Sequence, residues 1–217
     1  MISHVDIIGA LTYRTRQALN KTSTFHDNAV AVYEYCDVIF DRKERANMHL
    51  WHFAGTNNEI LTIFERLGKD PQSARLMFPA ILNYQSVIET HGVGVDGLTQ
   101  LDYDLVIVAP VNSTFTTEQR NRTVHDVILE PIYDEFMRQL RSCGWFQIPL
   151  QGLDFVRAKV FTTGTSEHRV IRNQYGWYVD YIEITDLRPL LRKDICADDI
   201  KQIKLEAELV TNNLKDL

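Results

Sequence analysis

One stretch of the sequence has the glycine spacing of a dinucleotide-binding turn, because Gly92, Gly94 and Gly97 spell G-x-G-x-x-G. Such a turn needs a helix directly after it, since the amides and the dipole of the helix N-terminus hold the pyrophosphate. Residues 98–110, LTQLDYDLVIVAP, instead alternate and then become continuously apolar, which is typical of a strand buried on both faces at one end. We therefore predict a hairpin connection at these glycines, with no bound nucleotide or other cofactor.

Three carboxylates in the last third of the chain could in principle hold a catalytic metal. Asp180, Glu183 and Asp186, with Lys159 upstream, are the residue types of metal-dependent nuclease sites. Asp180 and Glu183 are three residues apart in a predicted strand, so they should project to opposite faces. We predict a half-solvated edge strand without a metal. A small metal-dependent nuclease or nucleic-acid-processing factor is the alternative function.

The histidines do not form a convincing site either. His49 and His52 flank Trp51, and in a strand they would point to opposite faces, with no cysteine or carboxylate at ligand spacing. His125 and Asp126 are adjacent in a predicted helix, where neighbouring side chains do not face each other. The sequence therefore predicts no metal ligand and no catalytic residue among them.

The thiols and the exposed aromatic run also favour structural roles. Cys36, Cys143 and Cys196 lack a paired histidine and a basic neighbourhood, so buried or surface thiols are expected. Their odd number and wide spacing argue against a disulfide framework. Residues 175–181 contain four aromatic side chains that could stack on single-stranded nucleic acid, but few basic residues accompany them. A core or a subunit interface is the prediction for this run.

Composition narrows the class of protein. The chain has 217 residues, 45% of them apolar, which is enough for one sizeable domain with an appendage. Its formal net charge of −6 disfavours tight nucleic-acid binding, which depends on Lys and Arg. The longest apolar runs, such as residues 105–111, fall well short of the roughly 20 residues that span a bilayer. We expect a globular protein without membrane contact, folded in a reducing compartment.

The first third of the chain is predicted to contain two helices and a hairpin. Apolar spacing over residues 5–19 indicates a helix with Ser3 as a plausible N-cap. Residues 29–53 favour a β-hairpin with a charged tip at 41–45. Residues 56–67 then have a capping-box pattern and a single apolar face, which predict a short helix.

The remaining elements complete a sheet and its covering helix. Strands are predicted over residues 78–90, 98–110, 155–162 and 177–187. The longest helical pattern is 118–140, in which Pro131 predicts a kink or a break into two helices. A C-terminal helix over 198–214 has an apolar stripe from Ile200 to Leu214, which is typical of a helix that docks on a partner. The predicted fold class is α+β, a mainly antiparallel sheet packed by helices.

Four of these segments, in this order, resemble a known family. The segments FPAILNYQSVIE, LDYDLVIVAP, VHDVILEPIYDEFMRQL and WYVDYIEITDL are similar to tail-terminator and head-to-tail completion proteins of tailed bacteriophages. The similarity is closer to proteins of Bacteroides-group phages, including crAss-like phages, in which a FPLI-type strand precedes an ILxPIY helix and a D-x-I-E-I strand. It covers about residues 78–188, together with the first helix. The insertion at 29–67 and the tail after Pro189 exceed the compact family plan.

The resemblance implies a structural virion protein and not an enzyme. Such a protein forms a ring at the head–tail junction or in the tail, joining the portal to the tail and leaving a DNA channel open. The expected partners are about six or twelve copies of itself and the portal or adjacent neck and tail ring proteins. DNA would pass without specific binding, through a lumen that acidic side chains keep repulsive. The expected location is the virion neck or tail, after assembly in the host cytoplasm.

The resemblance also suggests which parts matter. A tail-terminator-like domain over residues 1–190 would contain the insertion at 29–67, and residues 191–217 would form a helical tail. The glycine turn, the charged tip and the C-terminal stripe are candidate partner contacts. The residues expected to position the sheet and its helix, or to lie at an interface, are Phe78, Pro79, Ile81, Ile128, Pro131, Ile132, Tyr133, Tyr181 and Ile184.

Overall fold

The computed structural model describes most of the chain. The described residues are 3–22, 25, 27–28, 49–67, 78–84, 90–91, 99–111, 114–149, 152–161, 178–192 and 194–211. Their helices are α1 (His4–Asn20), α2 (Asn57–Leu67), α3 (Thr117–Arg120), α4 (Glu130–Ser142) and α5 (Ala197–Thr211), and a π-helical segment, Asn121–Leu129, joins α3 to α4. Their strands are β1 (Trp51–Gly55), β2 (Ala80–Tyr84), β3 (Thr90–His91), β4 (Thr99–Gln100), β5 (Tyr103–Val111), β6 (Phe146–Gln147), β7 (Val156–Phe161), β8 (Tyr178–Leu187) and β9 (Leu190–Leu191).

The strands form two sheets. A five-stranded sheet has the order β1-β2-β5-β8-β7, and a four-stranded sheet of two-residue strands has the order β3-β4-β9-β6. In the larger sheet only β1 and β2 are parallel, and the other neighbours are antiparallel. The predicted α+β class with a mainly antiparallel sheet is confirmed.

A strand, and not a helix, comes after the glycine turn. Thr90 pairs with Gln100 and His91 with Thr99, so β3 and β4 are the two sides of a hairpin. The glycines between them, at 92–98, lie outside the described residues. The predicted strand 98–110 is in fact two strands, β4 and β5, because the chain leaves the small sheet at Leu101 and enters the large one at Tyr103. The position of β4 therefore excludes a nucleotide-binding turn, which requires a helix at that point.

Capping residues fix the beginnings of two predicted helices. The Ser3 hydroxyl accepts a hydrogen bond from the Val5 amide, and Asp6 accepts one from the Ser3 amide, so α1 has a capping box. At α2, the carboxylate of Glu59 accepts from the amide and the hydroxyl of Thr56. Both helices begin where the sequence pattern placed them, because each supplies its own partners for amides that a helix start leaves unpaired.

The long helix is not broken at Pro131, so the predicted break into two helices does not occur. A proline cannot donate the helical hydrogen bond, and its ring crowds the carbonyl four residues earlier. Here the turns just before it are π-helical, with the amide of Glu130 donating to the carbonyl of His125, five residues back. The wider turns accommodate the proline, and the chain stays helical from Thr117 to Ser142.

The large sheet has helices on both faces. On β5, Leu105 and Ile107 face a layer made of α1, α5 and the long helix, and Val106 and Val108 face α2. The strand is thus buried on both faces, as its continuous apolar run predicted. The predicted strand partner of β1, over residues 29–41, and the charged tip at 41–45 lie outside the described residues.

The C-terminal stripe is covered within the chain. Ile203, Ala207 and Val210 are buried where α5 packs on α1. The prediction that this stripe docks on a partner is therefore wrong for these residues, because the first helix already covers them.

Gly9 lets α1 approach both α5 and β1. A Cβ built at Gly9 would lie 3.0 Å from the Cβ of Ala207 and 3.2 Å from Nδ1 of His52. Gly9→Ala should therefore lower the free energy of unfolding by about 1–2 kcal/mol, because overpacking outweighs the roughly 1 kcal/mol that alanine adds to helix propensity. Urea unfolding of Gly9→Ala, Ala207→Gly and the double variant measures this. A double variant no more stable than the sum of the single changes would contradict the packing argument.

Candidate functional site

A buried ion pair joins the long helix to β8. Arg120 and Asp180 form two hydrogen bonds, one of them between Nε of Arg120 and Oδ2 of Asp180 at 2.9 Å. The Asp180 side chain is fully buried, and that of Arg120 is only 11% exposed. The bidentate geometry gives the carboxylate a fixed orientation and compensates its burial.

His125 lies beside this ion pair. Its Nε2 is 3.9 Å from Oδ2 of Asp180, and its ring centroid is 4.4 Å from that of Phe161 on β7. Among the described residues neither ring nitrogen has a hydrogen-bond partner. Burial, together with the positive charges of Lys159 and Arg120, lowers the pKa of His125 to about 4. The imidazole is therefore neutral at neutral pH.

A second, more exposed layer of charges continues the cluster towards solvent. Glu130 of α4 is paired with Arg157 and with Lys159 of β7, the latter at 2.7 Å. Burial of the Glu130 carboxyl raises its pKa, but the hydrogen bonds from Lys159 and Arg157 outweigh this and hold the pKa below its ordinary value. The Arg157 guanidinium also lies 4.0 Å over the ring of Tyr133. Together these contacts attach β7 to the long helix.

The cluster does not have the arrangement of a nuclease site. Asp180 faces the long helix and is held by Arg120, whereas Glu183 lies on the opposite face of β8, as its spacing predicted. Asp186 is exposed and paired with Arg188 at 2.7 Å. The prediction of a half-solvated edge was wrong, however, because β8 lies between β5 and β7 and Asp180 is fully buried.

Two further polar side chains are buried on the face of the large sheet that carries Asp180, near the β1 edge. His52 on β1 and Asn83 on β2 are both buried, and their polar side-chain atoms have no hydrogen-bond partner among the described residues. Burial lowers the pKa of His52 to about 4. His49 instead stacks on Trp51, with ring centroids 5.6 Å apart. The pair His49 and His52 thus holds no common ligand.

A shallow, open concavity lies along α2. It is lined by Ala54, Gly55, Asn58, Glu59, Thr62 and Ile63. The ionisable group in this lining, Glu59, is occupied in capping α2, and its hydrogen bonds with Thr56 lower its pKa. The Thr62 hydroxyl donates to the Asn58 carbonyl, and the described lining offers Glu59 no second ionisable group as a partner in acid–base chemistry.

The nine residues predicted for packing or interface roles lie in the two cores or at their borders. Eight are buried, namely Phe78, Pro79, Ile81, Ile128, Ile132, Tyr133, Tyr181 and Ile184, and Pro131 is half-buried. Phe78, which precedes a cis peptide bond to Pro79, stacks on Phe64 of α2 with ring centroids 5.5 Å apart. These side chains hold the sheet to its helices, and any part in contacts between copies stays a prediction.

The thiols and the aromatic run show no reactive arrangement in the described residues. Cys143 is half-buried, and burial raises the pKa of its thiol. Cys196 is exposed, and its Sγ is 3.2 Å from Oδ2 of Asp199. Tyr181 belongs to the core on the α2 side. Cys36 and residues 171–177 lie outside the described residues.

The sequence did not reveal the buried ion pair between Arg120 and Asp180. Arg120 and Asp180 are 60 positions apart, and although Asp180 begins the D-x-I-E-I segment, Arg120 belongs to no motif. A 3.6-residue period did not predict that His125 is buried. The π-helical spacing turns Val124 and His125 together towards the sheet. Pro131 was the only indication in the sequence of irregular helix geometry there. It follows Glu130, whose amide donates to the His125 carbonyl.

Within the part of the chain that the structure describes, no group of three or more metal-binding side chains comes together. No helix in that part has the length and apolarity needed to cross a membrane. No protein-family model, curated protein or solved structure matches the chain.

Proposed function

We propose that this chain is a structural subunit of a ring at the head–tail junction or in the tail of a tailed phage. Its work is assembly: it joins the head to the tail and leaves a channel for DNA. The ring would stand in the virion neck or tail, beside the portal or an adjacent ring protein.

One observation carries the proposal. The segments that resemble tail-terminator and head-to-tail completion proteins occupy β2, β5 and β8, which are neighbours in the sheet, and the long helix packs on β5 and β8. The resemblance therefore covers one continuous structural unit, and not a set of unrelated stretches. A unit of this kind gives each copy the same rigid frame, which a closed ring requires.

The state of the ionisable groups favours an assembly role over the nuclease alternative. Asp180 is paired with Arg120, Glu130 with Lys159, and Asp186 with Arg188. An enzyme of that class would bring at least three polar groups to one accessible place. Here Asp180 and Glu130 neutralise cations that belong to other elements, which is a structural use of charge.

The net charge also fits a channel subunit. A formal charge of −6 in each copy accumulates around a ring, so an acidic lumen would repel the phosphates of a passing duplex. A basic lumen would hold the DNA and slow its ejection.

Electron microscopy of the purified protein tests the proposal. We expect closed rings with a central opening, and we expect the protein among the components of purified virions. A protein that stays monomeric at high concentration and is absent from virions would overturn the proposal. Cleavage of DNA in the presence of Mg²⁺ or Mn²⁺, lost on Asp180→Asn or Glu183→Gln, would support the nuclease instead.

A further inference from the structure

A buried arginine on α1 has no acidic partner in the described part of the chain. Arg16 is only 9% exposed. It lies two helical turns after Gly9, and therefore on the side of α1 that faces α5 and β1. Its guanidinium lies over the ring of Tyr13, with Cζ 5.3 Å from the ring centroid. An aromatic ring attracts the positive charge but offers no lone pairs to the five N–H donors of a guanidinium.

Arg120 shows the usual treatment of a buried arginine, and Arg16 departs from it. The side chain of Arg120 is 11% exposed, and its guanidinium donates two hydrogen bonds to the carboxylate of Asp180. For Arg16, burial lowers the pKa, and among the described residues the opposing effect comes from Tyr13 and not from a carboxylate. A guanidinium does not lose its proton at neutral pH, so a charge stays buried there without a counter-charge from the described residues.

The surroundings of Arg16 in the sequence do not supply the missing charge. Residues 7–26 contain no Asp or Glu, although the whole chain has a net charge of −6. The carboxylate of Glu206 on α5 is already paired with Arg14, at 2.7 Å. The negative end of the α1 dipole gives only a weak, short-range compensation. A buried charge without a partner lowers stability, and proteins retain such a cost mainly where function requires it.

We propose that Arg16 is the binding residue for a small oxyanion, a carboxylate or a phosphate, that does not belong to this copy of the chain. A planar guanidinium offers two parallel N–H donors to the two oxygens of such a group, which gives strong charge-assisted hydrogen bonds. Because Arg16 is only 9% exposed, the oxyanion is either a free anion or the end of a single side chain. The proposal does not depend on the ring function, but a second copy, with its surplus of carboxylates, would be a source of such a side chain.

Urea unfolding in two buffers of equal ionic strength, sodium phosphate and sodium chloride, tests the proposal. Phosphate should raise the urea midpoint of the unmodified protein, because a ligand that binds the folded state alone stabilises it. Arg16→Met should show no phosphate effect, and in chloride its midpoint should equal or exceed that of the unmodified protein, because an uncompensated charge is removed. Arg122→Met is the matched control: its guanidinium is 74% exposed and paired with Glu118, so the full phosphate effect should remain.

The Nε–H signal of Arg16 in a nitrogen–proton correlation spectrum gives a direct readout, and its absence in Arg16→Lys assigns it. Addition of sodium phosphate or sodium acetate should shift this signal and leave that of Arg122 in place. A signal that also shifts when the protein concentration is raised without added anion identifies the carboxylate of a second copy as the source. A signal that responds to the added anions alone identifies a free anion. Arg16→Lys keeps the charge but loses the planar pair of donors, so its urea midpoint should need about tenfold more phosphate for the same rise.

Three results would overturn the proposal. A clearly lower urea midpoint of Arg16→Met in chloride is the result of removing one partner of an ion pair, so it would mean that a group of this same chain already pairs with Arg16. An equal phosphate effect in Arg16→Met and in the unmodified protein would place the anion elsewhere. An Arg16 signal that responds neither to the added anions nor to protein concentration would exclude both sources. None of these results decides whether the chain forms rings, which electron microscopy measures separately.

Discussion

Arg120→Met should lower the free energy of unfolding by about 3–5 kcal/mol, which is the usual loss when one partner of a buried ion pair is removed. The reason is that the Asp180 carboxylate is fully buried and would remain without its charge partner. A loss of this size is a large fraction of the roughly 5–15 kcal/mol that is typical of whole proteins. Urea or guanidinium unfolding at neutral pH measures it.

Two comparisons make the result specific to burial. Arg122→Met removes a cation only two positions further on, but its ion pair with Glu118 is about three-quarters exposed, so the loss should be below about 0.5 kcal/mol. Arg120→Met combined with Asp180→Leu should recover most of the stability, because it removes both charges from the interior. If Arg120→Met is no more damaging than Arg122→Met, the ion pair does not hold β8 to the long helix.

The elements that could be predicted from the sequence are those whose signals are local. The caps of α1 and α2 depend on Ser3 with Asp6 and on Thr56 with Glu59, each three residues apart, and the structure begins both helices there. The double-sided burial of β5 agrees with an uninterrupted apolar run. Periodicity and capping are properties of a single segment, so a single segment is enough to read them.

Order within the sheet and contacts between distant segments could not be read in this way. Nothing near Asp180 in the sequence shows that β7 pairs along β8 and that Arg120 approaches it, so an edge strand was predicted where the strand is interior. The stripe on α5 showed that Ile203 and Val210 must be covered, but not that the first helix covers them. An amphipathic pattern specifies a buried face and leaves its partner open.

The exposed apolar side chains of α5 are not the ones that the sequence pattern selected. Once α1 covers Ile203, Ala207 and Val210, the exposed Leu205 and Leu209 remain as the apolar part of α5 that faces solvent. The sequence pattern had selected the covered face because that face has the stronger periodicity. Exposed apolar side chains at a few positions have no periodic signature, so their meaning depends on where the fold places them.

The protein should lose stability between about pH 6.5 and pH 4 through His52 and His125, which are buried in the described part of the chain. The pKa of both His52 and His125 is lowered to about 4, and the unfolded chain has ordinary histidines near 6.5. The folded state therefore binds fewer protons than the unfolded state in this window. Stability is fully present above about pH 6.5 and falls as the pH drops towards the folded pKa.

The free energy of unfolding that His52 contributes, and that is lost on acidification, is about 3 kcal/mol, since each unit of pKa shift corresponds to about 1.4 kcal/mol. Burial is the cause of the shift, and among the described residues no acceptor meets either ring nitrogen to stabilise the protonated form. For His125 the nearby Asp180 carboxylate gives little relief, because Arg120 already neutralises it. Carboxylates with lowered pKa, such as Glu130, add their own loss only below about pH 4.5.

Urea unfolding of the unmodified protein, His52→Gln and His125→Gln from pH 7.5 to pH 4.5 separates these contributions. The free energy of unfolding at pH 7.5 gives the packing cost of each substitution. Its slope against pH below 6.5 gives the number of protons that the chain takes up on unfolding. In each variant this slope should be smaller than in the unmodified protein by up to about 1.4 kcal/mol per pH unit, which corresponds to one bound proton. If the slopes of both variants match that of the unmodified protein, the histidines do not cause the acid sensitivity, and partners would have to stabilise their protonated forms in the folded chain.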